Sequence, residues 1–363
     1  MKSKREWRAV QKGTDEETKE NERSPLSAFV NHLEGVALMP VMLRRNVTTT
    51  EFFADHHFDS EDGDFFPSML LVLPEGFEWM CAPSVPKMFV RRCYRMLYDL
   101  IIVRIGANSY RSFSGGLPLR VLVTGTRGTG ITMFMNYMLY QLYHRRPVSP
   151  TIVLDIKGHF ALIRSDQPTQ EGTRGQSFWR ELAQPSTIYL YDAPEFSKWN
   201  NSGPLYGPQV KAATIMTSSP NYDHFRTFVT GDAKVFCMPL WTLDELEACR
   251  RSCYPHVAPQ VMCRVFNKWG GTIRYPLMEP ESKTEVAMRP MLQQMTLVDA
   301  KTMTQQFGMY SSSAWKRLGA LLHIAPVEGT EFQQVDVKFC SDYVMRKVME
   351  RNAVDASNQS SWT

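Results

Sequence analysis

Between residues 118 and 280, apolar residues gather into short runs closed by glycine, proline or polar clusters. The runs are Val121–Val123, Thr151–Ile156, Ile188–Tyr191, Ala212–Ser218 and Lys234–Leu240. They show little polar alternation, the pattern of strands buried on both faces. Segments of helical period stand between or after them: Ile131–His144, Leu243–Cys253 and Ala258–Lys268. Thr242 with Glu245 three residues later reads as a capping box at the start of the second of these. Strands alternating with helices predict an α/β fold, a parallel sheet flanked by helices. The stretch FALIRS predicts a further strand, and the polar stretch Asp166–Gly175 a loop.

The flanks follow the same reading. Residues 1–25 are polar and charged without periodicity and predict a disordered tail. Residues 26–110 form an N-terminal region. Within it, Phe89, Cys93, Met96, Leu97 and Leu100 recur at helical spacing and predict an amphipathic helix over Pro86–Arg104. Arg91, Arg92 and Arg95 belong to its solvated face, with phosphate or nucleic-acid contact as the alternative. Ala107–Gly116 reads as a linker into the central region, residues 111–280. Residues 281–363 predict a mostly helical C-terminal extension with one late strand, Val335–Phe339, and a helix over Ser341–Arg351. The polar residues from Asn352 onward read as a second disordered tail. The acidic stretch His56–Asp64 lacks calcium-loop spacing and reads as a solvated loop.

The chemistry centres on RVLVTGTRGTGIT, Arg120–Thr132. A buried strand, a glycine-rich turn and a helix in that order form the context of a phosphate-binding loop. Glycines let backbone N–H groups converge on an anion, and the helix N-terminus adds partial positive charge. Gly125, Thr126, Arg127, Gly128, Thr129, Gly130, Ile131 and Thr132 are the candidate nucleotide-binding residues. The usual pattern, G-x-x-x-x-G-K-[ST], is met except that Ile131 stands at the lysine position. Lysine normally reaches the β- and γ-phosphates, so its loss removes charge stabilisation in the transition state. A bare glycine turn would satisfy the local pattern alone.

Two further strand ends converge on it. The run Ile188–Tyr191 closes on Asp192, the form of a Walker B carboxylate that holds Mg²⁺ directly or through water. Ala193, not a glutamate, follows it. The run ending at Thr217 leads into Ser218, Ser219, Pro220 and Asn221, where Ser218 is the candidate for γ-phosphate contact. Ligands on parallel sheets bind at the carboxyl ends of strands, where all three features fall.

With 363 residues, 43% of them hydrophobic, the chain is long enough for one large or two medium domains around a sizeable core. A net charge of +4 is compatible with nucleic acid without arguing for it. Seven cysteines without a CxxC pair read as reduced thiols. No signal-peptide core and no membrane-spanning stretch are expected, which predicts an intracellular protein without a membrane partner.

Four blocks carry a family likeness: FVRRCYRMLYDLI, VTGTRGTGIT, SSPN with the aromatic-basic stretch after it, and WTLDEL running on to FNKWGGTIRYPL. LLHIAP with VKFCSDYVMRKV adds a closing segment. Together, over roughly residues 85–350, they resemble the Crinkler and retrotransposon hot spot type P-loop ATPases. In that family the loop typically reads VTGTPGIGKS, so Arg127 and Ile131 both depart from it. The resemblance implies a P-loop core related to AAA-like and STAND-like ATPases, often joined to effector or nuclease-like domains. It implies ATP and Mg as cofactors, Thr132 and Asp192 as metal ligands, and Arg274 as a sensor of the γ-phosphate, although Arg274 equally caps the preceding helix. It favours the nucleus over the cytoplasm. Three functions follow: a regulatory or effector pseudo-ATPase with protein partners, an active ATPase with a non-standard loop, or a nucleic-acid-processing protein.

Overall fold

A computed structural model describes residues 25–44, 65–80, 85–113, 116–145, 149–156, 159–174, 176–193, 204–205, 209–279, 281–296, 299 and 319–360. The expected N-terminal tail up to residue 24 and the acidic stretch 56–64 lie outside them. The elements in chain order are α1 (Pro25–Asn31), β1 (Ala37–Arg44), β2 (Phe65–Val72), β3 (Lys87–Val90), α2 (Arg92–Phe113), β4 (Arg120–Thr124) and α3 (Ile131–Tyr143). Then come β5 (Thr151–Ile156), β6 (His159–Arg164), β7 (Gln167–Gly172), α4 (Trp179–Leu182), β8 (Thr187–Asp192), β9 (Ala213–Thr217), α5 (Tyr222–Val229) and β10 (Lys234–Cys237). The C-terminal part holds α6 (Leu243–Cys253), α7 (Pro259–Trp269), a π-helical turn Arg274–Met278, α8 (Glu281–Gln294), β11 (Leu322–Pro326), β12 (Val335–Phe339) and α9 (Asp342–Ser360).

The central sheet runs β10-β4-β9-β8-β5-β6-β7. Its first five strands are mutually parallel. The glycine-loop strand β4 therefore sits between β10 and β9, and β9 separates it from β8. The result is an α/β sheet, parallel over five strands and flanked by helices on both faces. Successive side chains explain the lack of polar alternation. Val121, Val123, Leu154, Leu190 and Ile215 face one core with Phe134 and Met138 of α3 and Leu97 and Ile101 of α2. Leu122, Val153, Tyr189 and Met216 face the opposite core with Phe225 and Phe228 of α5 and Leu182 of α4. Both faces are covered, so both registers must be apolar. Each large side chain so buried contributes about 1.5–3 kcal/mol before the entropy of ordering it is counted.

The all-parallel expectation needs correction at one edge, where β6 and β7 add antiparallel. β7 occupies most of the stretch expected to be a loop. It is an edge strand exposed along most of its length, so it carries no hydrophobic period for sequence to reveal. Its backbone pairs with β6, and Glu171 accepts from the Ser27 hydroxyl of α1 at 2.8 Å.

The expected helix over 86–104 is also corrected. Residues 87–90 form β3, which pairs antiparallel with β2 and buries Met88, Phe89 and Val90. Helical spacing there yields to strand pairing. Helix α2 instead runs to Phe113, through most of the expected linker. Beyond α7, Trp269, Met288, Leu322, Ile324, Val337, Val344 and Val348 build a separate core. LHIAP is β11, the antiparallel partner of the expected strand β12. The expected tail at Asn352 is helical to Ser360, because α9 continues through it. Arg351 anchors that stretch by donating to the Leu292 carbonyl at 2.9 Å.

Candidate functional site

The glycine loop joins the most buried strand ends to the N-terminus of α3. Gly128 (φ 87°) and Gly130 (φ 93°) take left-handed conformations that a side chain would strain. At Gly130 a β-carbon would also strike the Tyr94 hydroxyl, which donates to the Gly130 carbonyl at 2.8 Å. Three further loop carbonyls are tied to donors. Thr126 accepts from the Thr129 N–H (3.1 Å) and hydroxyl (2.8 Å). Gly128 accepts from the Ile273 N–H at 2.9 Å, and Thr129 from the Arg91 guanidinium at 2.9 Å. Among the described residues, no acceptor meets the N–H groups of Gly128, Gly130, Ile131 or Thr132. These are the donors that a helix N-terminus presents to an anion.

Arg91 departs from the expected solvated face. It is 1% exposed. It pairs with Glu245 at 2.7 Å, donates to the Pro239 and Leu240 carbonyls at 2.8 and 2.7 Å, and lies 4.4 Å over the Trp241 ring. Every donor direction of a fork-shaped guanidinium is thus used to fasten the joint β3–α2 to the loop and to the start of α6. Glu245 does this while closing the expected capping box: the Thr242 hydroxyl accepts from the Glu245 N–H at 3.3 Å, and the Glu245 carboxylate accepts from the Thr242 N–H at 3.3 Å. The apolar residues just before Arg91 were the available signal that it closes a strand rather than lying on a helix face.

Thr126 and Thr129 are buried. The Thr126 hydroxyl donates to the Ile324 carbonyl at 3.1 Å and accepts from the Ile324 N–H at 2.8 Å, so it docks β11 onto the loop. Gly125 is pressed against Met238: a β-carbon there would lie 2.9 Å from the Met238 Cβ. Ile131 packs at the edge of the sheet core. Thr132 is half-buried, and its carbonyl accepts from the Asn136 amide at 3.2 Å.

Asp192 stands at the end of β8, 7% exposed, and accepts from the Thr217 hydroxyl at 2.5 Å. Thr217 pairs in register with Asp192 on one side and Val123 on the other. Among the described residues no hydrogen bond joins Asp192 to Thr132. No group of three or more His, Cys, Asp or Glu side chains suited to a metal occurs there either. Ser218 is buried, with its N–H on the Val123 carbonyl and its hydroxyl on the Ser219 carbonyl, each at 3.1 Å. A cleft of about 220 Å³ lies against the loop instead. Arg127, Arg274, Ser219, Asn221, Thr272 and His323 are among its lining residues, whereas Ser218, Asp192 and Thr132 are not. Arg274 opens the π-helical turn, and its Cβ lies 3.3 Å from where a Gly128 side chain would begin. The cap of α7 is the Gly270 N–H on the Phe266 carbonyl, at 2.7 Å. Sequence reasoning missed Ser219, Thr272 and His323. A histidine inside the apolar run LLHIAP was a legible sign of burial.

A scan against protein families finds no match. Crinkler effector protein 15 of Phytophthora infestans is similar to this chain, 24% identical over 273 residues, which is 72% of the chain. The chain spans 40% of that relative's length. Among solved structures, the Holliday junction branch migration motor RuvB of Thermotoga maritima aligns with 64% of this chain and 70% of its own, at 12% identity and a TM-score of 0.27. A mutant of it aligns over the same shares at 13% identity and 0.28. The chain thus bears a partial resemblance to a Crinkler effector. No helix among the described residues is long and apolar enough to cross a membrane.

Proposed function

We propose that the chain is a Crinkler-like regulatory or effector module that binds a nucleotide at its glycine loop and hydrolyses it poorly or not at all. The observation that carries this reading is the loop itself. Its carbonyls are fastened to Arg91, Tyr94, Ile273 and Thr129, which leaves N–H groups at the α3 terminus for phosphate oxygens. The donor set fits a phosphate chain and lacks the lysine that turnover needs. Bound Mg²⁺ would supply charge neutralisation between the phosphates. Thr132 and Asp192 are the residues proposed to hold it. Ser218 and Arg274 are proposed at the γ-phosphate end, Ser218 by turning its hydroxyl from the Ser219 carbonyl, since its N–H is held by the Val123 carbonyl.

The active-ATPase reading draws support from one observation: Arg127 and Arg274 line one cleft beside the loop and could supply cationic charge. Nucleic-acid processing and a nuclear location rest on resemblance alone and are ranked below both. A thermal-shift titration with ATP and Mg²⁺ tests the binding claim, because a ligand held only by the folded state raises the melting temperature. A rise is expected. Asp192→Asn should remove its Mg²⁺ dependence, and an unchanged Mg²⁺ response would remove Asp192 from the site.

A further inference from the structure

The cleft beside the loop is built differently from the N–H cradle. Two arginines, Arg127 and Arg274, line it, and among the described residues no aspartate or glutamate does. Among the described residues neither guanidinium has an ion-pair or hydrogen-bond partner. Most other described arginines near the core are engaged, as Arg91, Arg174 and Arg250 are. Three polar atoms of the lining are buried and unpartnered: Ser219 Oγ, Thr272 Oγ1 and His323 Nδ1. Thr272 and His323 are each 1% exposed. Such atoms give up their water bonds on burial and gain none in return. One lining could leave a hydroxyl bare by chance; three such atoms beside two unpaired cations call for an acceptor-rich ligand.

We infer that this cleft is a phosphate-binding site in its own right, with Arg127 and Arg274 as the cationic grip and Ser219 and Thr272 as hydroxyl donors. Its place is the seam between the glycine loop, the end of β9, the π-helical turn and β11. Thr126 and Arg127 of the loop line it, whereas Thr132 and Asp192 do not. Arginine suits the role because its planar fork matches phosphate oxygens in pairs. Arg127 lies on the loop and Arg274 beside it, where the Gly128 carbonyl accepts from the N–H of Ile273, the neighbour of Arg274. A phosphate gripped by both would close that seam. The phosphate has two chemical sources, the terminal group of a nucleotide or a separate phosphorylated ligand.

Pyrophosphate titrated by calorimetry into the full chain tests this. Three variants are compared: Arg127→Gln, Arg274→Gln and Ile131→Asp. Aspartate suits the first turn of a helix, so the last variant repels anions from the cradle while keeping the helix start favoured. The site predicts that each arginine variant loses pyrophosphate affinity about tenfold or more, while Ile131→Asp binds within about threefold of the natural protein. Unchanged melting temperatures of the unliganded variants guard against misfolding. Binding unaffected by both arginine variants, or abolished by Ile131→Asp alone, would overturn the proposal, as would no pyrophosphate binding at all. Competition by ATP would assign the phosphate to a nucleotide. Independent binding of ATP and pyrophosphate would assign it to a separate ligand, and the site stands in either case.

Discussion

Single residues decide whether this loop keeps its shape. Arg91 and Glu245 form a buried pair whose other donors are spent on the carbonyls of Thr129, Pro239 and Leu240. Removing one partner strands the other charge away from water. Glu245→Ala should therefore cost about 3–5 kcal/mol in urea unfolding, well beyond the loss of a cap alone. A loss near 1 kcal/mol would mean that only the capping box mattered. His323 sets a second residue-scale expectation. Burial, with Lys338 across the hairpin adding to it, pushes its pKa down to about 3 from 6.5. The unfolded chain takes up that proton below pH 6.5 and the folded chain only near pH 3. This contribution is fully present above pH 6.5 and is lost as pH falls, at about 1.4 kcal/mol per unit between those limits. In urea titrations His323→Gln should flatten the pH slope across that window. An unchanged slope would show that other groups carry it.

Elements were legible where one local pattern sufficed. The parallel strands could be read because both faces are buried, and α6 because Thr242 and Glu245 close its first turn within four residues of sequence. β7 could not, since QPTQEG has no buried face and exists by pairing with β6. β3 could not either, because its partner β2 lies far away in sequence. The same limit applied at the site. Spacing revealed the loop and the strand end at Asp192, but the tie from Thr126 to Ile324 spans 198 positions, and nothing local announces it. At the loop–helix joint, Gly130→Ala should destabilise by more than about 1 kcal/mol in thermal or urea unfolding, since it forces a β-carbon into a left-handed position. It also displaces the Tyr94 hydroxyl, so pairing it with Tyr94→Phe should recover part of the loss. A neutral Gly130→Ala would mean that the loop relaxes at no cost.

Across the whole molecule the glycine loop is the meeting point of three regions. The N-terminal sheet reaches it through Arg91, the α7 end through Ile273, and the C-terminal hairpin through Ile324. A ligand bound at the loop would touch the anchors of all three, as the proposed regulatory role requires. Turnover is another matter, and it rests on Ile131. Without the lysine that bridges the β- and γ-phosphates, about 3 kcal/mol or more of transition-state stabilisation is missing, a hundredfold or greater in rate. Ile131→Lys should bind ATP with Mg²⁺ more tightly than the natural protein. The most direct test is phosphate release from ATP with Mg²⁺ by the natural protein, measured beside Ile131→Lys and Thr132→Ala. The account predicts that the natural protein releases phosphate no faster than Thr132→Ala, while any gain appears in Ile131→Lys. Sustained release by the natural protein, abolished by Thr132→Ala, would contradict it and establish an active ATPase.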